Sequence, residues 1–390
     1  MIQLINFDMI DVLKIVFVIG LLFSCSSKME VSTSDELLLE LEIYDSIQVD
    51  IAERINTFDF LGGRGLMYGF QTRELVLFDT TGKTLTRRSF PEEGPGSLGY
   101  TIDVRLMENG DCFVYSFGNQ LTLLSEELDI KKKYEMDFPA ELRGSKYYQH
   151  VMDINKGKGY LFFPGRDGGN PYLKDFYKKY SLLEKLDLES GNSVPFLKLP
   201  KVSKYHDELT YEYPNLAVSI HGSILYLALD KESYVHSYDL EKEGELKASI
   251  DFHPEKFLQK EGSKEESVSS YGAFKAGGIN SLFGITNGVA VHYHEGIEQD
   301  VFQQEKLLKK ENWIKIPDYN KQKMIVYTND KGWSNEIDVP EKILAISGMT
   351  DLNKPFWGLR YDDYVNLEED FKTIYKMRLV KKQVAITETD

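Results

Sequence analysis

Two cysteines in 390 residues are too few to staple this chain together. Cys25 and Cys112 allow one bridge at most, so the fold has to be held by a hydrophobic core and not by a disulfide framework. Positive charge is also scarce. With 46 Lys and Arg against 62 Asp and Glu, the net charge is −16. That excludes a nucleic-acid surface built on a basic face and assigns the charge mainly to solubility. The apolar run behind Lys14 is about nine residues long, where a membrane-spanning helix needs about 20. Helical periodicity is sparse, and the best stretches are His253–Leu258 and Val301–Lys310, both charged and peripheral.

What is present begins with that short run. Residues 15–25 form the apolar core of an export signal, and they stop at Ser24-Cys25 before the polar Ser26-Ser27-Lys28. Asp8 and Asp11 fit a basic leader poorly, and a start at Met9 would remove the first of them. Leu22-Phe23-Ser24-Cys25 resembles the lipobox of bacterial lipoproteins, which implies cleavage before Cys25 and acylation of its thiol. Cys112 is then left single, and within Cys112-Phe113-Val114-Tyr115 it reads as a small buried hydrophobe on a strand. The expected organisation is a signal at 1–25, a polar tether at 26–36, a folded domain at 37–382 and a tail at 383–390.

Beyond the tether the chain is a series of short apolar or alternating runs broken by turn residues, rich in Tyr (24) and Phe (22). That pattern predicts β-structure. A hairpin signature recurs: an apolar strand, an Asp, Asn, Glu or Gly turn, then a charged strand. It is anchored at Phe78, Leu124, Leu186, Tyr238, Tyr327 and Asn366. The mean spacing of ~58 residues is that of a propeller blade with loop insertions. The long Tyr238–Tyr327 interval predicts an insertion, with Gln259–Ser267 as its exposed polar part. Six units predict an all-β, six-bladed propeller of four-stranded blades. The last unit offers three strands, near Ile343–Ser347, Phe356–Tyr364 and Thr373–Val380. The alternating run Leu38–Val49 is the candidate for its missing outer strand, closing the ring and protecting an edge. Two stacked β-domains with chance turn similarity are the competing architecture.

The lipobox, the tether, the six units and Pro91-Glu92-Glu93-Gly94-Pro95-Gly96 together resemble the uncharacterised six-bladed, TolB-like β-propeller lipoproteins of Gram-negative bacteria. The resemblance covers about residues 37–382. It implies the fold and an outer-membrane, lipid-anchored location, and it carries over no catalytic residues.

Chemistry is thinly marked. His292 and His294 share one strand face and are the best metal-like pair, but zinc needs further ligands that the sequence does not supply nearby. Gly62-Gly63-Arg64-Gly65 and Gly94-Pro95-Gly96 lack the Gly-Lys-Ser/Thr ending of a phosphate loop and read, like Arg166–Asn170, as tight turns. There is no nucleophile elbow and no metalloprotease helix. Trp357, Arg360 and Tyr361 place aromatics and a cation beside Gly358, a composition shared by binding hot spots and by inner propeller strands. The candidate ligand-binding residues are therefore Trp357, Arg360, Tyr361, His292 and His294, with no cofactor or metal and no catalytic residue assigned. The expected function is binding of an envelope protein, peptide or glycan, with the membrane as a second partner through Cys25 and no nucleic acid. The alternative is a metal-dependent hydrolase or lyase in the central channel.

Overall fold

A computed structural model describes residues 36–117, 120–136, 150–162, 173, 176–211, 215–229, 231–259, 262–264 and 276–382. Cys25 and the proposed signal lie outside these residues, as does the Arg166–Asn170 turn. The described strands lie in one compact unit that begins at Leu37.

The chain enters through β1 (Leu39–Val49). Blade 1 is β2 (Ile55–Leu61), β3 (Arg64–Gly69), β4 (Glu74–Asp79) and β5 (Thr84–Ser89). Blade 2 is β6 (Thr101–Leu106), β7 (Cys112–Ser116), β8 (Gln120–Leu124) and β9 (Ile130–Glu135). Blade 3 is β10 (Met152–Asn155), β11 (Lys158–Phe162), β12 (Leu183–Asp187) and β13 (Ser193–Phe196). Blade 4 is β14 (Leu216–His221), β15 (Ile224–Leu229), β16 (Tyr234–Asp239) and β17 (Glu245–Asp251). Blade 5 is β18 (Ala276–Ile285), β19 (Gly288–Gly296), β20 (Gln322–Thr328) and an outer strand broken into β21 (Gly332–Trp333) and β22 (Ile337–Val339). Blade 6 is β23 (Ile343–Ser347), β24 (Phe356–Arg360) and β25 (Lys372–Lys381), completed by β1 in the order β1-β25-β24-β23. The protein is a six-bladed β-propeller, and the N-terminal strand closes its last blade from Leu39↔Lys381 to Val49↔Lys372.

Side-chain alternation explains why the inner strands read as unbroken apolar runs. A blade is buried on both faces, so neighbouring residues of one strand serve different interfaces. On β4, Leu75 and Leu77 pack with Val104, Cys112 and Val114 of blade 2, while Val76 and Phe78 pack with Trp357, Leu359 and Ile374 of blade 6. Outer strands such as β5 alternate between half-buried and exposed residues. Gly65 is required here, because a Cβ on it would lie 2.1 Å from the Phe78 ring. Cys112 is fully buried on β7, and burial pushes its thiol up to about 12.

The repeated signature is the hairpin between third and fourth strands in blades 1 to 5. Asn366 breaks that phase, since it lies between β24 and β25, the second and third strands of blade 6. Blade 6 cannot have the usual hairpin, because its fourth strand comes from the other end of the chain. β24 stops at Arg360, and a short helix, Asp362–Val365, follows where an extended strand to Tyr364 was expected. His253–Leu258 is not helical. The second helical expectation is met in part by Gln299–Gln304, which packs a small core of Ile297, Phe302 and Leu307 between β19 and β20. Gly62 and Gly63, at φ 58° and 80°, turn within blade 1, whereas Gly94 (φ 90°) lies in the passage from blade 1 to blade 2.

Candidate functional site

In an antiparallel meander the two ends of a blade carry different connections. One face of the ring holds the links between blades and those between second and third strands; the other holds only the remaining hairpins. The connections 90–100, 297–321 and 361–371 lie on the first face, and the strands that flank 136–151, 163–182, 197–215 and 252–275 end there as well. The opposite face has no connection longer than 348–355. Four of the five exposed aromatics among the described residues follow the same division, the exception being Tyr44 in the middle of β1. Phe70 and Tyr100 meet edge to face at 5.4 Å on the long-loop face, where Phe117 and Trp313 are also exposed.

A cavity of about 1100 Å³ opens on this face across blades 5, 6 and 1. Its blade 5 side carries Asn280, Ser281, His292, His294, Asn320 and Gln322. β-Bulges aim two of its walls: the register of β18 skips at Asn280, and that of β23 at Leu344. On the blade 6 side stand Leu359, Arg360, Tyr361 and the helix-bearing loop that follows. Tyr364 of that loop donates to Asp318 at 2.7 Å, tying it to the helix Ile316–Tyr319 of the blade 5 insertion.

Two imidazoles on β19 are fixed by amides. Gln322 Nε2 donates to the Ile343 carbonyl at 3.0 Å, which turns its Oε1 toward His292 Nε2 at 2.9 Å. His292 Nε2–H is therefore the donor and Nδ1 carries the lone pair; that Nδ1 is buried without a hydrogen-bond partner. Burial brings the His292 pKa down to about 4, against a smaller opposing effect of the Gln322 bond, so the ring is neutral at pH 7. His294 Nδ1 lies 2.9 Å from Asn280 Oδ1 and donates to it.

The opposite wall is charged but paired. Arg360 Nε donates to Asp362 at 2.7 Å, its terminal nitrogen reaches Glu369, and Lys372 donates to the second Asp362 oxygen at 2.7 Å. Around the whole cavity five carboxylates (Glu53, Asp362, Asp363, Glu368 and Glu369) face three cations, Arg54, Arg360 and Lys372.

The structure thus brings His292, His294, Arg360 and Tyr361 to one cavity. Trp357 lies elsewhere: three residues from Arg360 on a strand it points to the other face, into the interface with blade 1. There it stacks on Phe60 with centroids 4.1 Å apart. The sequence reading missed Gln322 and Asn280, which orient the histidines, and the Asp362–Glu369–Lys372 cluster that holds Arg360.

It also missed a polar ring at the channel. Asp59 accepts the Leu106 N–H of the next blade at 2.8 Å, Asp103 the Val151 N–H at 3.0 Å and Asp153 the Ile220 N–H at 2.6 Å. Ser219 accepts from Gly284 N–H and Ser347 from Phe60 N–H, each at 2.9 Å. Each acceptor satisfies a donor on the inner edge of the next innermost strand, or in Val151 just before one, where no strand is left to pair with. Arg105 bridges Asp59 and Asp153 at 3.3 and 3.2 Å, and His150 meets Asp103 at 2.9 Å. Burial raises the Asp59 pKa, but Arg105, His150, the Leu106 N–H and the Ser347 hydroxyl outweigh it and hold the carboxyl below its usual range. Among the described residues the seam between blades 5 and 6 lacks such an inner-strand acceptor, and the cavity opens at that seam. A signal was available in the sequence: an Asp or Ser set in the apolar innermost strand of five of the six blades.

Among the described residues no three His, Cys, Asp or Glu side chains are grouped to hold a metal ion. No described helix is long and apolar enough to cross a membrane.

The chain matches no protein-family model and no curated protein by sequence. Its solved structural neighbours include a member of the DUF4221 family from Bacteroides vulgatus ATCC 8482. That likeness has a TM-score of 0.64 at 10% identity and covers 89% of this chain and 100% of the other. A protein of Bacteroides fragilis NCTC 9343 described as exported matches with a TM-score of 0.55 at 9% identity, over 89% of this chain and 97% of the other. The likeness is one of fold. It agrees with the propeller resemblance read from the hairpin repeat.

Proposed function

We propose that this chain is a lipid-anchored β-propeller of the cell envelope, in the outer membrane of a Gram-negative bacterium, whose long-loop face binds a protein, peptide or glycan. One observation carries the reading: the cavity, the long connections and the exposed aromatics Phe70, Tyr100, Phe117 and Trp313 coincide on one face of the ring. Propellers collect variable loops at the ends of a rigid scaffold, where binding residues concentrate. The anchor is the Cys25 thiol, with residues 26–36 as the tether and 37–382 as the binding domain. Its support is the apolar run that ends at Ser24-Cys25.

The alternative, metal-dependent chemistry in the channel, would have to use the convergent Asp59, Asp103, Asp153 and His150. Their carboxylates are already engaged by backbone N–H groups, by Arg105 and by His150 Nδ1, which leaves His150 Nε2 as the one ring nitrogen of the cluster without a hydrogen bond. This favours a structural role for the channel cluster and binding at the cavity.

Site-specific photocrosslinking in the exporting cell tests the binding face. A photoreactive residue at Tyr100 or Trp313 should yield discrete adducts, and one at Ser190 or Asn329 on the short-turn face should not. Adducts confined to the short-turn positions would contradict the proposal.

A further inference from the structure

We propose that the cavity between blades 5 and 6 is a binding site for an uncharged oligosaccharide. The assignment rests on the binding-face reading above and names its ligand class.

The blade 5 wall is the first argument. Asn280, Ser281, His292, His294, Asn320 and Gln322 supply amide, hydroxyl and imidazole groups and no carboxylate, ammonium or guanidinium. A sugar hydroxyl both donates and accepts, and its neighbours along the ring do the same. A wall of fixed, neutral donors and acceptors suits it better than a single charge would. These groups are held in place before any ligand arrives: the Ile343 carbonyl orients Gln322, Gln322 orients His292, and Asn280 orients His294. Preorganisation of this kind reduces the entropy lost on binding.

The second argument is the unsatisfied acceptor. His292 is almost wholly buried and lines the cavity, and its Nδ1 lacks a partner. Buried acceptors are nearly always satisfied; this one is shielded from solvent, so a ligand hydroxyl would reach it only after a small adjustment of the wall.

Electrostatics removes the anionic alternatives. The cavity carries more carboxylates than cations, and Arg360 and Lys372 are committed to Asp362 and Glu369. A phosphate, sulfate or uronate ligand would meet no uncommitted cation at those two positions and a net negative rim. Tyr361 lies at the cavity near-parallel to Tyr364, with ring centroids 6.1 Å apart, and offers an aromatic face for the apolar side of a pyranose. A cationic peptide would also tolerate the acidic rim, but it would leave the neutral blade 5 wall and the His292 acceptor without a matching partner along most of its length.

The test is calorimetric titration of the chain against uncharged hexaoses (malto-, cello-, manno- and chito-oligomers), with an oligogalacturonate and a lysine-rich peptide as charged comparators. At least one neutral oligomer should bind saturably, with an affinity that raised salt leaves unchanged within about twofold. His294→Ala and Tyr361→Ala should each weaken it at least tenfold, with thermal melts showing that both variants fold. No saturable neutral oligosaccharide, or one whose binding survives both substitutions, overturns the assignment. Binding of the peptide or the oligogalacturonate instead, with cavity residues protected in hydrogen exchange, would overturn the carbohydrate assignment while leaving the binding-face reading intact.

Discussion

Asn335 binds the backbone of Leu39 as a strand would: its Oδ1 accepts the Leu39 N–H at 2.6 Å and its Nδ2 donates to the Leu39 carbonyl at 2.9 Å. Asn335 sits in the break between β21 and β22, so blade 5 uses the gap in its own outer strand to hold the strand that closes blade 6. Ring closure therefore rests on β1–β25 pairing and on a clasp from the neighbouring blade.

Asn335→Ala should cost about 1–3 kcal/mol, because it removes both bonds and leaves Leu39 polar groups partly buried. Urea unfolding checks this as a lower midpoint with an unchanged slope. Removing Leu38–Val49 altogether should abolish cooperative unfolding of the domain, since it strips a whole strand from blade 6.

Asp59→Ala should be more severe, about 3–5 kcal/mol, because it leaves Arg105 short of a partner in a buried setting and frees the Leu106 N–H and the Ser347 hydroxyl. The pH dependence has a definite sign. A carboxyl held below its unfolded value contributes stability that is present above about pH 4 and is lost as the pH falls through the depressed folded value. Melting curves of the native protein should fall in acid more steeply than those of Asp59→Asn.

His292 gives the opposite kind of titration. Its folded pKa of about 4 lies below the unfolded value of about 6.5, so the unfolded chain binds the proton first. Stability should decline as the pH drops from about 6.5 toward 4, by roughly 3 kcal/mol in all from this ring. Nitrogen chemical shifts should show His292 as the Nε2–H tautomer with no titration between pH 8 and 5.5. A midpoint near 6.5 would mean that the ring is open to water.

Cys112 should be inert toward a thiol reagent in the folded protein and should react at once in denaturant. It is fully buried, and burial keeps its thiol protonated to about 12.

How far the sequence carried this reading depended on the kind of interaction. The blades were legible because the hairpin turns need particular residues, such as Asp79 and Gly82 or Asp187 and Gly191, and these recur. Closure was legible because Leu38–Val49 alternates and the last unit was one strand short. The phase slip at Asn366 was not legible, since the same turn residues serve a different connection there. His292, His294, Arg360 and Tyr361 stood out by composition, but their convergence depends on two blades meeting, which no local pattern encodes. Trp357 was grouped with Arg360 by proximity in sequence, while strand alternation sends the two to opposite faces. Gln322 was invisible for a similar reason: its importance lies in bridging His292 to a carbonyl 21 positions along the chain.

The binding-face claim is tested most directly by hydroxyl-radical footprinting of the chain in its native envelope against the purified protein. Phe70, Tyr100, Phe117 and Trp313 should be protected in the envelope, while Leu85 and Leu246, exposed near the short-turn ends of their strands, should oxidise equally in both. Equal oxidation of the four aromatics in both samples, or protection confined to Leu85 and Leu246, would contradict the account.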